Sequence, residues 1–199
     1  MPAKSSAWIT VLLIATENMG KWKEFKSLIG NVLPMPTENV PQIIEDGGSY
    51  YENALKKAIG YFQAFRVPVL SDDSGLEIKA LGGAPGLHSA RFGGLGISWQ
   101  ERRNLILEKL ANQTDRSAQF RAVLCYYDGK GVPLFVEETV QGEILLKEEG
   151  KGGFGYDPLF YSSALKKSYG TATLEEKQSD SHRAKAIKKL MALLDLGLS

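Results

Sequence analysis

Apolar residues in this chain fall into short continuous runs and into longer stretches with helical spacing. The run at residues 9–15 is rich in β-branched and aliphatic residues without alternation, which predicts a strand covered on both faces. Residues 16–20 follow with turn and cap chemistry. Apolar positions at helical spacing then predict a helix from Lys21 to Ile29. The first 30 residues are therefore predicted to form a strand, a loop and a helix.

Capping signals predict three further helices. Ser49 and Ser98 are each followed three residues later by glutamate, the spacing of a capping box. The apolar positions that follow predict helices to about Phe65 and through Leu110. The last helix is predicted to begin near Ser181, which is a suitable N-cap.

The remaining strands are predicted from β-rich runs and turn residues. Residues 117–127 and 132–140 are two such runs, joined by the short glycine-containing connection 128–131 that is typical of a hairpin. The apolar run 67–70 predicts a buried strand, and residues 71–75 (Ser-Asp-Asp-Ser-Gly) are interpreted as the tight turn that ends it. These elements predict an α/β protein with a mixed sheet.

Composition narrows the class of protein. The 199 residues are expected to form a single domain (1–199); they are 43% hydrophobic and 24% charged with a net charge of +1, as in soluble globular proteins rather than strongly basic nucleic-acid binders. Cys125 is the only cysteine and lies in no recognisable cysteine-enzyme motif. The apolar segment 8–15 is too short to span a bilayer and precedes no small-residue cleavage site. We therefore expect a cytoplasmic protein with no membrane partner.

Adjacent carboxylates beside a glycine-rich segment are the strongest indication of chemistry. Asp72 and Asp73 follow the run 67–70, and residues 81–91 contain the glycine-rich sequence Leu-Gly-Gly-Ala-Pro-Gly. Because ligands of open α/β sheets bind outside the carboxyl ends of strands, this position favours metal-dependent phosphate chemistry. The alternative is that both aspartates are ordinary turn residues that bind nearby backbone amides.

Three other segments fit a phosphate-bearing ligand. The loop at residues 16–20 offers amides and a helix dipole to a phosphate, although it matches neither common phosphate-binding pattern and equally suits a generic loop. The glycine-rich segment 148–158 contains two aromatic residues that suit stacking on a planar base; sharp turns alone would explain its glycines. His182 and Arg183 lie in the first turn of the last helix, where positive side chains are unfavourable unless an anion lies nearby.

In this order along almost the whole chain, these segments resemble the inosine triphosphate pyrophosphatase family, which hydrolyses non-standard purine nucleoside triphosphates such as dITP, ITP and XTP. The resemblance implies an α/β fold with a long twisted mixed β-sheet flanked by helices, in two lobes with a central cleft. It also implies Mg²⁺ dependence, a homodimer, and conversion of a triphosphate and water to a monophosphate and pyrophosphate. The matching segments are 15–18 with Lys21 and Glu24, 52–54 with Lys57, 72–76, 81–86 with 89–91, 152–158, 176–177 and 181–183.

The resemblance also implies roles for individual residues. Asp73 matches the catalytic acidic residue, Glu45 matches the metal-associated glutamate, and Asp73 is expected to share the metal. We hypothesise that Asp73 orients or deprotonates the attacking water and that Asp72 supports it as a metal-associated or second-sphere carboxylate. The implied substrate contacts near the phosphates are Thr16, Glu17, Asn18, Met19, Gly20, Lys21 and Lys57, with Ser74 beside the catalytic aspartate. Phe154, Gly155, Tyr156 and Asp157 match the nucleoside-binding segment, and Lys177, His182 and Arg183 match base and phosphate contacts.

Three positions depart from the family pattern. Glu17 stands where a glycine or asparagine is usual, so a negative side chain lies in the phosphate loop, either pointing to solvent or lowering affinity. Ser71 replaces the usual alanine before the aspartates, and Lys151 replaces a small polar residue.

Two other classes of function remain open from the sequence. A related pyrophosphatase for modified pyrimidine or methylated nucleotides would share the metal and the leaving group and differ in base selectivity. A nucleotide-binding regulator without turnover would accommodate Glu17 but has no need of a water-activating carboxylate. A nucleic-acid-binding module is disfavoured by the near-zero net charge.

Overall fold

The computed structural model describes residues 11–195, which form five α-helices and six strands. The helices are α1 (Met19–Ile29), α2 (Tyr50–Phe65), α3 (Trp99–Lys109), α4 (Leu174–Asp180) and α5 (His182–Asp195). The strands are β1 (Leu13–Ala15), β2 (Val69–Ile78), β3 (Ser117–Tyr127), β4 (Leu134–Ile144), β5 (Phe160–Ser162) and β6 (Lys167–Ser168). No helix within residues 11–195 is long and apolar enough to cross a membrane.

The strands form one sheet in the order β1-β2-β3-β4-β5-β6. β1 and β2 are parallel, with Leu13 opposite Val69, whereas β4 and β5 are antiparallel, with Gly142 opposite Ser162. β6 is antiparallel to β5. The predicted α/β class and the mixed sheet are confirmed.

The described chain divides into two compact units. Unit 1 contains residues 11–73, 123–137 and 186–195, and unit 2 contains residues 74–122 and 138–185. Two apolar clusters stabilise unit 1, one around Phe25 and one around Tyr61. Unit 2 has its own cluster, in which Tyr169 and Phe160 are fully buried. Each unit therefore has a separate apolar core.

The predicted helix starts are confirmed where a serine caps the helix. Ser98 and Glu101 form a reciprocal capping box at α3. Ser49 accepts a hydrogen bond from the Glu52 amide at 3.2 Å, and Ser181 accepts one from the Ala184 amide at 3.2 Å. These caps are local in sequence, so they could be predicted without tertiary information.

The first strand and helix differ slightly from the prediction. β1 covers only the last part of the predicted strand at residues 9–15, and residues 9 and 10 lie outside the described residues. α1 begins at Met19, because Asn18 caps the helix by accepting a hydrogen bond from the Lys21 amide at 3.1 Å.

The predicted tight turn at residues 71–75 is wrong. β2 continues as a strand through Ser71, Asp72 and Asp73 to Ile78, and all three of these polar residues are buried. Each of these side chains contacts a group on another element: Asp72 contacts Lys21 of α1, and Ser71 and Asp73 contact residues of α2. Ser71 Oγ, for example, donates to the carbonyl of Ala54 on α2 at 2.6 Å. A run with turn composition therefore forms the buried middle of a strand.

Cys125 lies in β3 and is fully buried. Burial raises the pKa of its thiol to about 12, with a smaller opposing effect of Ser71. Since the thiolate is the nucleophilic form, this cysteine is unreactive at neutral pH.

Candidate active site

The loop between β1 and α1 is fixed by its own side chains. Thr16 Oγ1 accepts a hydrogen bond from the Asn18 amide at 3.1 Å, and Asn18 then caps α1. Such a helix start carries partial positive charge and favours an anion. Met19 is 47% exposed, and Gly20 is half-buried at the start of the helix. The sequence-predicted phosphate loop thus has the geometry of a capped helix N-terminus.

Glu17 is exposed in this loop. Its charge acts on Tyr61 of the same unit: burial raises the pKa of Tyr61 to about 12, and the charges of Glu17 and Glu45 add to the rise. An exposed carboxylate is solvated, and its effect on a nearby anion is screened. The position of Glu17 is therefore compatible with phosphate binding in this loop.

Asp72 pairs with a lysine of α1. Lys21 Nζ lies 2.6 Å from Asp72 Oδ2, and the Asp72 side chain is fully buried whereas that of Lys21 is 17% exposed. A short ion pair from a buried carboxylate fixes the direction of the lysine. Asp72 therefore holds Lys21 in place. This contact is more specific than the supporting role that the sequence led us to expect for Asp72.

Asp73 faces a different lysine. Lys57 Nζ lies 3.6 Å from Asp73 Oδ1 and 3.1 Å from Glu45 Oε2, so one ammonium group faces two carboxylates. Asn53 donates from Nδ2 to Asp73 Oδ2 at 3.1 Å and accepts from the Gly47 amide at 2.8 Å. Lys57 is 7% exposed, and both of its carboxylate partners lie outside its own helix.

The pKa of Asp73 is raised above the ordinary aspartate value, chiefly by burial. The charges of Lys57 and Lys21 lower it, Glu45 raises it, and the hydrogen bond from Asn53 lowers it. The net effect makes Asp73 a stronger base than an exposed aspartate. That property suits a carboxylate that accepts a proton from water.

Glu45 and Asp73 also fit a magnesium ion. Among residues 11–195, no three His, Cys, Asp or Glu side chains gather in a cluster that could hold a metal ion by themselves. Mg²⁺ is commonly bound by one or two carboxylates together with substrate phosphates and water. Two carboxylates that already face one ammonium group provide such a donor set.

The nucleoside residues predicted from sequence lie in unit 2, where Asp157 organises the glycine-rich segment. Its Oδ2 accepts a hydrogen bond from the Phe154 amide at 2.7 Å and lies 2.6 Å from Lys177 Nζ. Gly153 has φ +69°, and a Cβ there would collide with the Asp157 carboxylate. Glycine is therefore required at this position for the tight turn around Asp157.

The ring of Phe154 lies against two cations. Lys177 Nζ is 4.7 Å and the Arg183 guanidinium carbon is 5.4 Å from its centre. Arg183 also donates from Nη2 to Ser74 Oγ at 2.7 Å. An aromatic face beside fixed hydrogen-bond donors is the combination that recognises a planar base carrying acceptors.

Two predicted contact residues have supporting positions. Tyr156 is 3% exposed, donates its hydroxyl to the carbonyl of Ser89 at 2.8 Å and packs edge-on against Trp99. His182 is 2% exposed and stacks on Phe120 at 4.9 Å between ring centres. Direct contact of either ring with a substrate stays a prediction.

The structure brings the predicted residues together within each unit. Asn53 was not assigned a role from sequence, although it lies one helical turn before Lys57 on α2, a spacing that places both on one face. Unit 1 holds Thr16, Glu17, Asn18, Met19, Gly20, Lys21, Glu45, Lys57 and Asp73. Unit 2 holds Ser74, Phe154, Gly155, Tyr156, Asp157, Lys177, His182 and Arg183.

A mixed α/β sheet with buried lysine-paired carboxylates and an aromatic, cation-flanked glycine-rich segment defines a nucleotide-directed α/β protein. Residues 12–193 match the sequence pattern of the Ham1 family, and the chain belongs to this family. The relationship predicted from the sequence motifs is confirmed.

Similar proteins support the same relationship over nearly the full chain. The dITP/XTP pyrophosphatase of Desulfotalea psychrophila is 40% identical over 92% of this chain and 85% of its own length. The dITP/XTP pyrophosphatase of Streptococcus pneumoniae is 42% identical over 90% of this chain and 94% of its own length. The solved structure of the Staphylococcus aureus Ham1 protein has a TM-score of 0.82 and 36% identity, covering 93% of this chain and 98% of that one.

Proposed function

We propose that this chain hydrolyses non-standard purine nucleoside triphosphates, with dITP, ITP and XTP as substrates, to the monophosphate and pyrophosphate. Such a reaction removes these nucleotides from the pool available for DNA and RNA synthesis. The observation that carries the proposal is the placement of Glu45 and Asp73 around Lys57, with Asp73 buried and its pKa raised. The names of the similar proteins support the same activity.

In the proposed reaction Asp73 accepts a proton from the water that attacks the α-phosphorus. The bond from water oxygen to phosphorus forms as the bond to the bridging oxygen breaks, and pyrophosphate leaves with the developing negative charge. Lys57 and Lys21 lie beside the carboxylates and offset the charge of the polyphosphate. Asn53 holds the Asp73 carboxylate in one orientation.

Glu45 and Asp73 are the proposed ligands of Mg²⁺. When bound, the ion polarises the phosphate and lowers the pKa of associated water. The pair of carboxylates is suited to this hard cation because substrate phosphates and water complete its coordination.

Base selection is proposed to depend on the residues around Phe154. Hypoxanthine and xanthine carry an oxo acceptor at C6 where adenine carries an amino donor, so fixed donors favour the first two bases. Lys177 and Arg183 supply candidate donors beside the ring of Phe154, which supplies a stacking face. Adenine would leave one of these donors without an acceptor.

The proposal extends to assembly and location. We propose a homodimer, as the family resemblance implies, in the cytoplasm and with no stable nucleic-acid or membrane partner. The net charge of +1 supports the absence of a nucleic-acid partner.

The test is pyrophosphate release from dITP, ITP, XTP, dATP, dGTP and dUTP, with Mg²⁺ and with a chelator. The proposal expects turnover that is highest for the first three nucleotides, yields the monophosphate as coproduct and disappears with the chelator. Preference for dUTP would indicate a pyrimidine nucleotide pyrophosphatase. Nucleotide binding without turnover would indicate a regulator, and both outcomes contradict the proposal.

A further inference from the structure

Arg103 on α3 links the helix to the start and the middle of the glycine-rich segment 148–158. Its Nη1 donates to the Gly155 carbonyl at 2.8 Å, and its Nε lies 2.9 Å from Glu148 Oε1. Gln100, one turn earlier, accepts from Arg103 Nη2 at 3.0 Å. The Arg103 side chain is 13% exposed, so these contacts are largely shielded from water. One guanidinium therefore holds the start and the middle of the segment.

An open space lies beside these contacts. A pocket of about 630 Å³ is lined by Gln100, Arg103, Glu148, Pro158 and residues 150–154. Gly150, Gly152 and Gly153 contribute no side chains that could fill it. These glycines therefore provide no side-chain packing beside the pocket, where Arg103 makes its polar contacts with Glu148 and Gly155.

The other side of the segment is held by backbone hydrogen bonds. The Gly152 amide donates to the Gly170 carbonyl at 2.8 Å, and the Gly170 amide donates to the Asp157 carbonyl at 3.0 Å. These bonds leave the Gly155 carbonyl to Arg103. The orientation of the peptide group that follows Gly155 thus depends on the hydrogen bond from Arg103 of α3.

Gly155 is a sensitive point in the segment. It has φ +63° and lies between Phe154, whose ring faces Lys177 and Arg183, and Tyr156, whose ring packs on Trp99 of α3. Trp99 and Arg103 are one helical turn apart, so one face of α3 contacts the side chain of Tyr156 and the backbone before it. A shift of this backbone would move the ring of Phe154.

We propose that Arg103 is a positioning residue for base selection, which holds Gly155 so that Phe154 and Asp157 are presented in the geometry that recognises the base. The inference rests on the proposed function, because it assumes that this segment contacts the nucleoside. It assigns Arg103 no contact with the substrate and no part in proton transfer.

The test compares Arg103→Met and Arg103→Lys with Lys109→Met, an exposed position on the same helix. Arg103→Met should raise the KM for dITP roughly tenfold and reduce discrimination against dATP, because a charged hydrogen bond to the carbonyl is lost. The kcat for dITP should change less than about twofold, since the reacting atoms are untouched. Arg103→Lys should recover part of the effect, because an ammonium group can still pair with Glu148 but cannot reproduce the two-sided contact.

Product binding separates this role from a general loss of structure. Calorimetric binding of inosine monophosphate should weaken roughly tenfold in Arg103→Met, whereas binding of pyrophosphate, which has no base, should be unchanged. Binding of both ligands that weakens by the same factor, or wild-type affinity for both, would overturn the inference. If Arg103→Met does not fold, Glu148→Gln removes the charge that pairs with Arg103 and should change the same constants in the same direction by a smaller factor.

Failure of the proposed function has a different signature. A wild-type protein that shows no turnover of dITP contradicts that function, while the monophosphate-against-pyrophosphate comparison still tests Arg103. Wild-type turnover with unchanged KM and unchanged selectivity in Arg103→Met contradicts the positioning role alone.

Discussion

Asp72 and Asp73 are adjacent carboxylates that should respond in opposite ways to the same substitution. Both are buried in β2, and replacement by asparagine preserves the size of each side chain while removing its charge. We expect Asp72→Asn to reduce stability strongly and Asp73→Asn to reduce turnover strongly. Each variant is the control for the other.

For Asp72 the expected loss follows from its ion pair. Removing one partner of a buried pair costs about 3–5 kcal/mol, because it leaves the other charge without compensation. Lys21 is 17% exposed, and asparagine keeps an oxygen that can accept a hydrogen bond. The free energy of unfolding should therefore fall by roughly 2–3 kcal/mol, at or just below the lower end of that range.

For Asp73 the charge itself is disfavoured. Because burial raises its pKa, the folded state binds this proton more tightly than the unfolded state does. Its contribution to stability therefore falls as pH rises from the ordinary aspartate pKa through the raised value. Asp73→Asn removes this penalty, so metal-free stability at neutral pH should be unchanged or higher, while kcat should fall by about 100-fold or more through loss of the base.

The assay is urea unfolding in the presence of a chelator, followed by steady-state pyrophosphate release with dITP at saturating Mg²⁺. Near wild-type kcat in Asp73→Asn would refute the assignment of the base. A fully stable Asp72→Asn would refute the importance of the Lys21 pair. Equal loss of stability in both variants would show that burial, and not the particular partner, determines the response.

Phe154→Leu should raise the KM for dITP roughly tenfold and leave pyrophosphate inhibition unchanged, since stacking on a base contributes about 1–3 kcal/mol; comparison of the two constants tests this. Asp180→Ala should lower the free energy of unfolding in urea by about 2–4 kcal/mol, because Ser162 and Tyr169 lose a buried acceptor. The backbone amide of Ser98 at the start of α3 lowers the pKa of Glu101. The stabilisation of the protein by ionised Glu101 is therefore complete above the ordinary carboxylate pKa and is lost as pH falls through the lowered value. Glu101→Gln should flatten that part of a pH series of melting temperatures.

Local signals accounted for much of the fold. The serine caps of α2, α3 and α5 lie within a few residues of the helices they start, so the sequence contains the whole interaction. The middle of β2 could not be predicted in this way. Ser71, Asp72 and Asp73 have turn composition, and only contacts from distant parts of the chain make their burial in a strand favourable.

The candidate site, like the fold, could be predicted from the sequence only in part. The motifs indicated Asp73, Lys57 and Phe154 as single residues, but their partners depend on tertiary contacts. Nothing in the sequence pairs Asp72 with Lys21 or directs the Tyr156 hydroxyl to Ser89. Arg103 lies on a charged helix face and has the pattern of a solvated residue, although its side chain is mostly buried against the glycine-rich segment.

The proposed reaction is tested most directly by a single turnover of dITP in isotopically labelled water. The label should enter the deoxyinosine monophosphate, because water attacks the α-phosphorus and unlabelled pyrophosphate leaves. Label in pyrophosphate, or release of labelled orthophosphate, would place the attack at another phosphorus and contradict the proposed reaction.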